Sequence, residues 1–176
     1  LGDSFVENFQ VPFEKRFFRQ LQDKLGDKFE IIAIGRGNTG TAQQYLMLKE
    51  YGLKYKPNLV IQMFLTANDV KNNSPVLQND PYLPYFEIDE NNNLKEIPPI
   101  KRSDRKLSSL KEALKKFEIA KIILSLRQKY LERKAISLSG GYPVDYHIYN
   151  SNYSSEYQKA WDTTKKLIVE TKKITE

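Results

Sequence analysis

Apolar residues in the first 70 positions arrive in two rhythms. Two short runs, Phe29-Glu30-Ile31-Ile32-Ala33-Ile34 and Leu59-Val60-Ile61-Gln62-Met63-Phe64-Leu65, have the length and make-up of buried strands. Between the N-terminus and the first run, Phe17, Leu21 and Leu25 recur at four-residue steps. That spacing predicts a helix opening near Pro12, stopped by Gly26, with one face for packing on a sheet. A second helix is predicted from a Thr41 cap to about Leu53, with Tyr45, Leu48 and Gly52 turned inward. Strand–helix–strand alternation of this kind favours parallel pairing with right-handed crossovers, so the expected class is α/β.

Beyond Lys71 the rhythm changes. Asn72 to Pro75 reads as a loop, and Tyr85–Asp89 and Leu94–Ile97 flank Glu90-Asn91-Asn92-Asn93 as a hairpin. After Pro98-Pro99, Ser103 or Asp104 can cap a long helix to about Glu132. Leu107, Leu110, Leu114, Phe117, Leu124 and Leu131 form its stripe, widened by Ile119, Ile122, Ile123 and Leu126. Residues 137–155 read as a polar, tyrosine-rich loop, and 156–174 as a final amphipathic helix on Trp161, Leu167, Ile168 and Ile174. The whole reads as one domain, 1–176. Residues 1–70 are its sheet layer, and 71–155 are an insertion placed to cover a site at the sheet edge.

Composition narrows the chemistry. The 176 residues contain no cysteine, which excludes disulfides and thiol or thiolate–metal chemistry. No apolar run approaches the ~20 residues that cross a bilayer as a helix. The net charge of +6 is concentrated: twelve basic and four acidic residues lie between Lys101 and Lys134, a local excess larger than that of the whole chain. A basic helix of this kind suits an anionic surface, a glycan or nucleic acid, or is a solvated face. No nucleic-acid motif accompanies it, and the aromatics cluster at Tyr142–Tyr157 instead, so nucleic acid is not expected as a partner.

Three polar motifs follow the predicted strands or open the chain. Leu1-Gly2-Asp3-Ser4-Phe5 puts a serine beside a glycine, in a turn able to project its hydroxyl. Gly35-Arg36-Gly37-Asn38-Thr39-Gly40-Thr41 is a glycine-rich loop. Thr66-Ala67-Asn68-Asp69 places an asparagine where its amide N–H can meet a developing oxyanion. Loops after parallel strands converge at the carboxyl edge of the sheet, where open α/β sheets bind ligands. Asp3 and Asp69 flank their turns and are expected to support them by accepting backbone N–H bonds. Gly35, Gly37 and Gly40 also satisfy Gly-x-Gly-x-x-Gly, the dinucleotide fingerprint, with Arg36 near a phosphate; the acid expected ~20 residues on, at the end of the next strand, is missing.

In order and wording these motifs resemble the SGNH (GDSL-type) hydrolase family of bacteria. Gly2-Asp3-Ser4 is similar to its nucleophile block, and Thr66-Ala67-Asn68-Asp69 to its Gly-x-Asn-Asp block, with threonine in place of glycine. The resemblance extends through Tyr51-Gly52-Leu53-Lys54-Tyr55-Lys56-Pro57-Asn58-Leu59-Val60 and Asp80-Pro81-Tyr82-Leu83-Pro84-Tyr85-Phe86 towards Trp161. It implies a three-layer parallel-sheet sandwich of flavodoxin-like type, incomplete here, with the hairpin and helices inserted. It also implies a serine esterase without metal or organic cofactor. Ser4 is its nucleophile, and the oxyanion is held by the Ser4 N–H, a glycine-loop N–H and the Asn68 amide. The loop donor stays open between Gly37 and Asn38, since the family's glycine falls near Asn38, a residue that tolerates left-handed φ. The substrate is an acyl or acetyl ester of a small molecule, carbohydrate or lipid.

The family's Asp-x-x-His block has no counterpart. Asp145-Tyr146-His147 is one residue short of it, and His147, the sole histidine, is read as a lid or surface residue. Only Leu1 stands where a strand should precede Gly2. The chain therefore reads as a fragment cut at both ends, lacking its first strand and its base histidine, and inactive by itself. An exported or membrane-anchored parent is compatible with it, and no compartment is assigned. The alternatives are a non-catalytic module of the same fold that binds an anionic glycan or surface, and a dinucleotide-binding domain.

Overall fold

The computed structural model describes residues 1–101, 118–138 and 144–176. Helices dominate: α1 (Ser4–Glu7), α2 (Phe17–Leu25), α3 (Thr41–Glu50), α4 (Asp69–Asn72), α5 (Pro75–Gln78), α6 (Glu118–Leu138) and α7 (Ser155–Lys173). The strands β1 (Tyr85–Ile88) and β2 (Leu94–Ile97) form an antiparallel hairpin in the register Tyr85↔Ile97 to Ile88↔Leu94. The chain is thus a mixed α/β protein.

The hairpin follows from local chemistry. Asp89 accepts the N–H groups of Asn91 and Asn93 at 2.9 and 2.7 Å, and Asn92 takes φ 60°. The asparagine triplet therefore supplies the tight turn. Glu87 faces Lys95 across the pair, their charges 3.1 Å apart.

The core is built around α7, which packs on α3, α4 and the hairpin. Ser154 caps it, accepting from Tyr157 N–H at 3.3 Å; Glu156 lies in its first turn and Lys172 and Lys173 in its last, matching the helix dipole. One apolar cluster joins Val70, Leu77, Tyr157 and Ala160 with Phe64 and Trp161 packed against it; another joins Ala42, Phe86 and Leu167 with Tyr45.

The parallel three-layer sandwich is not formed among the described residues. Phe29–Ile34 and Leu59–Leu65 run without strand pairing of their own. Between them sits the N-terminal dipeptide: Gly2 N–H donates to Ile34 O at 3.1 Å, Arg36 N–H to Gly2 O at 3.4 Å and Met63 N–H to Leu1 O at 2.9 Å. Gly2 and Gly35 form a single parallel bridge. A strand exists only where consecutive residues share a ladder, and one bridge with these bonds does not make one. Along α2, Phe17, Leu21 and Leu25 are 41, 40 and 39% exposed, and among the described residues no sheet lies beneath them.

Smaller corrections have local causes. Pro12 opens a 3-10 turn, Phe13–Lys15, and α2 starts later at Phe17. Gly40, not Thr41, is the cap of α3, its N–H donating to Gln43 Oε1 at 2.8 Å; α3 gives way to a 3-10 turn, Gly52–Tyr55. The predicted loop at 72–75 is shorter, Asn73 and Ser74, between two short helices: Asn72 ends α4, and Ser74 caps α5, which opens at Pro75. α6 runs on to Leu138, past Glu132, and Val144–Tyr149 is a 3-10 turn inside the predicted loop. Ile168 is 41% exposed, and α7 is anchored by Tyr157, Ala160 and Leu167. The predicted start of the long helix, Ser103 or Asp104, lies outside the described residues.

Candidate functional site

Asp3 organises the first motif. Buried, it caps α1 by accepting Phe5 N–H at 3.0 Å, and Asn8 in a left-handed conformation, φ 51°, ends the helix after one turn. Val6 points into the interior while Ser4 is exposed. The turn therefore presents Ser4 at the surface on a fixed backbone. Gly35 makes this possible, since a β-carbon on it would stand 2.6 Å from Glu7 N and 2.7 Å from Val6 Cβ. Only a bare backbone fits against α1 there.

The glycine-rich loop comes next to Ser4. A β-carbon on Gly37 would lie 3.7 Å from Ser4 Cβ and 2.9 Å from Glu7 Oε2. Gly37 N–H donates to that same Glu7 oxygen at 2.6 Å. Asn38 takes φ 62°, the left-handed conformation, and its side-chain oxygen accepts from Gln78 at 2.6 Å. Of the two loop donors left open by the sequence, the Gly37 N–H is therefore engaged by a carboxylate of its own chain. No described residue accepts from the Asn38 N–H.

Asn68 completes the set. Its Nδ2 donates to Asp3 Oδ2 at a long 3.4 Å, while its Oδ1 is buried with no partner among the described residues. Next to it, Asp69 is wholly buried and accepts Leu65 N–H at 2.8 Å, holding the loop before α4. Burial pushes the Asp69 carboxyl up to about 7; the Leu65 N–H opposes the rise, Asp3 adds to it, and the nearby Gln44 amide pulls it back, without closing a hydrogen bond of good geometry. Ser4, Gly37 and Asn68 thus belong to three loops that meet through Asp3 and Glu7. Asp3 and Asp69 both hold turns through backbone N–H groups.

Behind these loops runs a buried polar network that ties them to the last helix. Asn73 Oδ1 accepts Ala42 N–H at 2.9 Å, and its Nδ2 donates to Thr41 Oγ1 and, at 2.6 Å, to Thr164 Oγ1. Asn72 donates to Thr39 O at 3.2 Å, and Gln43 reaches Pro84 O at 2.5 Å. Gly40 permits the approach: a β-carbon on it would stand 2.6 Å from Asp69 O and 2.8 Å from Asn73 Oδ1.

Sequence reasoning missed Glu7, Gln78, Asn73 and Thr164. Gln43 alone carried a signal, lying three residues after Gly40 at capping-box spacing. His147 has its backbone in the 3-10 turn Val144–Tyr149. A cavity of about 460 Å³ opens on the far end of α1, lined by Glu7, Phe9, Phe13, Phe18, Arg16 and Arg19 among others; Ser4 does not line it. No group of three or more metal-ligating side chains is assembled among the described residues.

Against known protein families, curated proteins and solved structures, the chain finds no match.

Proposed function

We propose that this chain carries the nucleophile and oxyanion-binding loops of an SGNH-type serine ester hydrolase. The observation that carries the reading is the approach of the glycine loop to an exposed Ser4, where a β-carbon on Gly37 would stand 3.7 Å from Ser4 Cβ, together with the bond of Asn68 to Asp3, the residue just before Ser4. The single parallel bridge between Gly2 and Gly35, with Leu1 bonded to Met63 on the other side, suits the central strands of the three-layer sandwich this family would have.

In this mechanism Ser4 Oγ attacks the ester carbonyl carbon and gives its proton to an imidazole base. The carbonyl oxygen becomes an oxyanion held by the Ser4 N–H, the Asn38 N–H and the Asn68 amide. Collapse expels the alkoxide, which takes the proton and leaves as an alcohol. Water then attacks acyl-Ser4 with the same base, releasing a carboxylic acid and the free serine. Asn38 is the preferred loop donor because its left-handed backbone takes the shape a glycine would, and because Glu7 already occupies the Gly37 N–H. The reaction needs no metal or organic cofactor, and the substrate is an acyl or acetyl ester of a small molecule or carbohydrate.

The dinucleotide alternative fares less well. A phosphate cradled by Gly35–Gly40 needs free backbone donors, yet Arg36, Gly37, Gly40 and Ala42 N–H all go to acceptors within the chain. The reading is tested by hydrolysis of p-nitrophenyl acetate with the protein expressed from its complete gene. Ser4→Ala should remove at least about a thousandfold of the rate. Undiminished turnover in that variant sinks the proposal.

A further inference from the structure

α6 has two apolar sides where a helix packed on one body needs one. Leu131 and Ile136 are half-buried, and the helix leans on α5. Yet Ile122, Ile123, Leu126 and Tyr130 are 58, 59, 60 and 65% exposed. At 3.6 residues per turn these four fall within an arc of about 100°; Leu131 lies about 130° from its centre and Ile136 about 90°, beyond its edge on the other side. Such an outward stripe is costly in water unless something covers it.

The charges around it select the covering. Lys129 borders the arc on one side and Lys134 and Arg127 on the other, while Arg133 continues it at the C-terminal end, all four exposed. Isoleucines flanked by long cationic side chains match an interface with apolar depth beneath an anionic rim, which polynucleotides and acidic glycans lack. No described helix is long and apolar enough to cross a membrane, so the fit is to lying in the surface rather than spanning it.

We infer that α6 docks in-plane on an anionic lipid surface, inserting Ile122, Ile123, Leu126 and Tyr130 below headgroups held by Arg127, Lys129, Arg133 and Lys134. The inference stands apart from the ester chemistry at Ser4.

Co-sedimentation of the protein with vesicles of 30% phosphatidylglycerol in phosphatidylcholine, against pure phosphatidylcholine, tests it. Binding should require the anionic lipid and weaken with salt. Lys129→Glu with Lys134→Glu should lower partitioning at least about tenfold, and Ile123→Asp with Leu126→Asp should do the same. The substituted side chains are exposed, so far-ultraviolet circular dichroism should stay unchanged. No partitioning to either vesicle, or partitioning that neither pair alters, overturns the inference. A dimer by light scattering that the Ile123→Asp, Leu126→Asp pair dissociates, with no vesicle binding, assigns the stripe to a second copy instead and also overturns it.

Discussion

Asn68 donates its side-chain amide to the carboxylate of Asp3, 65 residues earlier in the chain, at 3.4 Å. The bond is long, and Asp3 spends its other oxygen on the turn that displays Ser4. An amide held so loosely is poised and unspent. In the proposed mechanism it would transfer to the oxyanion at little cost, since the bond it leaves is weak.

Removal of this amide separates chemistry from folding. Asn68→Ala should cost about 10²- to 10³-fold in kcat with KM little changed, the loss typical of one oxyanion donor. Its effect on thermal unfolding should be small, because the side chain makes one long bond and leaves Oδ1 unpartnered among the described residues. Steady-state kinetics on p-nitrophenyl esters, with calorimetry on the same preparations, reads both.

Asp69 makes stability depend on pH with an unusual sign. Its carboxyl is raised in the fold from 3.8 to about 7, so between these values the folded chain holds a proton that the unfolded chain has lost. Unfolding then releases a proton, and its contribution falls as pH rises from about 4 to about 7, staying flat above. At roughly 1.4 kcal/mol per unit, the fall is at most about 4 kcal/mol. Asp69→Asn can still accept Leu65 N–H and should flatten this slope; urea melts from pH 4.5 to 8 on both proteins would show it. Equal slopes would mean that Asp69 is not desolvated.

Asn73 is the joint between the glycine loop and α7. Asn73→Ala strands the Ala42 N–H and breaks the bonds to Thr41 and Thr164 in a fully buried setting. A loss of about 2–4 kcal/mol is expected. Thr164→Val, which keeps the shape, should cost less, about 1 kcal/mol: it leaves the Asn73 bonds to Ala42 and Thr41 in place, and the donation it loses to Ala160 O is to a carbonyl of its own helix. Denaturant titration separates the two.

Gly40→Ala tests the close approach of α3 to α4. The new methyl would meet the Asp69 carbonyl and the Asn73 amide, neither of which is a free end. About 1–3 kcal/mol of destabilisation is expected, and alanine is also the poorer N-cap. A rise in Tm on this substitution would contradict the packing described.

What the sequence disclosed was mainly what short-range physics decides. The Asn91–Asn93 turn and the Gly26 stop rest on residues within four positions of one another, and Asn38 could be expected to accept φ 62° from its residue type alone. The site's inner contacts were hidden because they are non-local: Glu7 meets Gly37 30 residues on, and Asn73 meets Thr164 91 residues on. The two apolar runs read as strands because composition reports burial, whereas a strand is defined by its ladder, and among the described residues the runs share only the Gly2–Gly35 bridge and the bonds of Leu1 and Gly2. The α2 stripe was misjudged for the same reason: periodicity shows which face is apolar and not whether anything lies beneath it.

The account turns on a covalent bond at Ser4. The most direct measurement is intact and peptide mass spectrometry of the protein, expressed from its complete gene, after incubation with a fluorophosphonate. A single adduct on the peptide carrying Ser4, absent from Ser4→Ala, is the predicted result. No adduct, or one that persists in the variant, would contradict it.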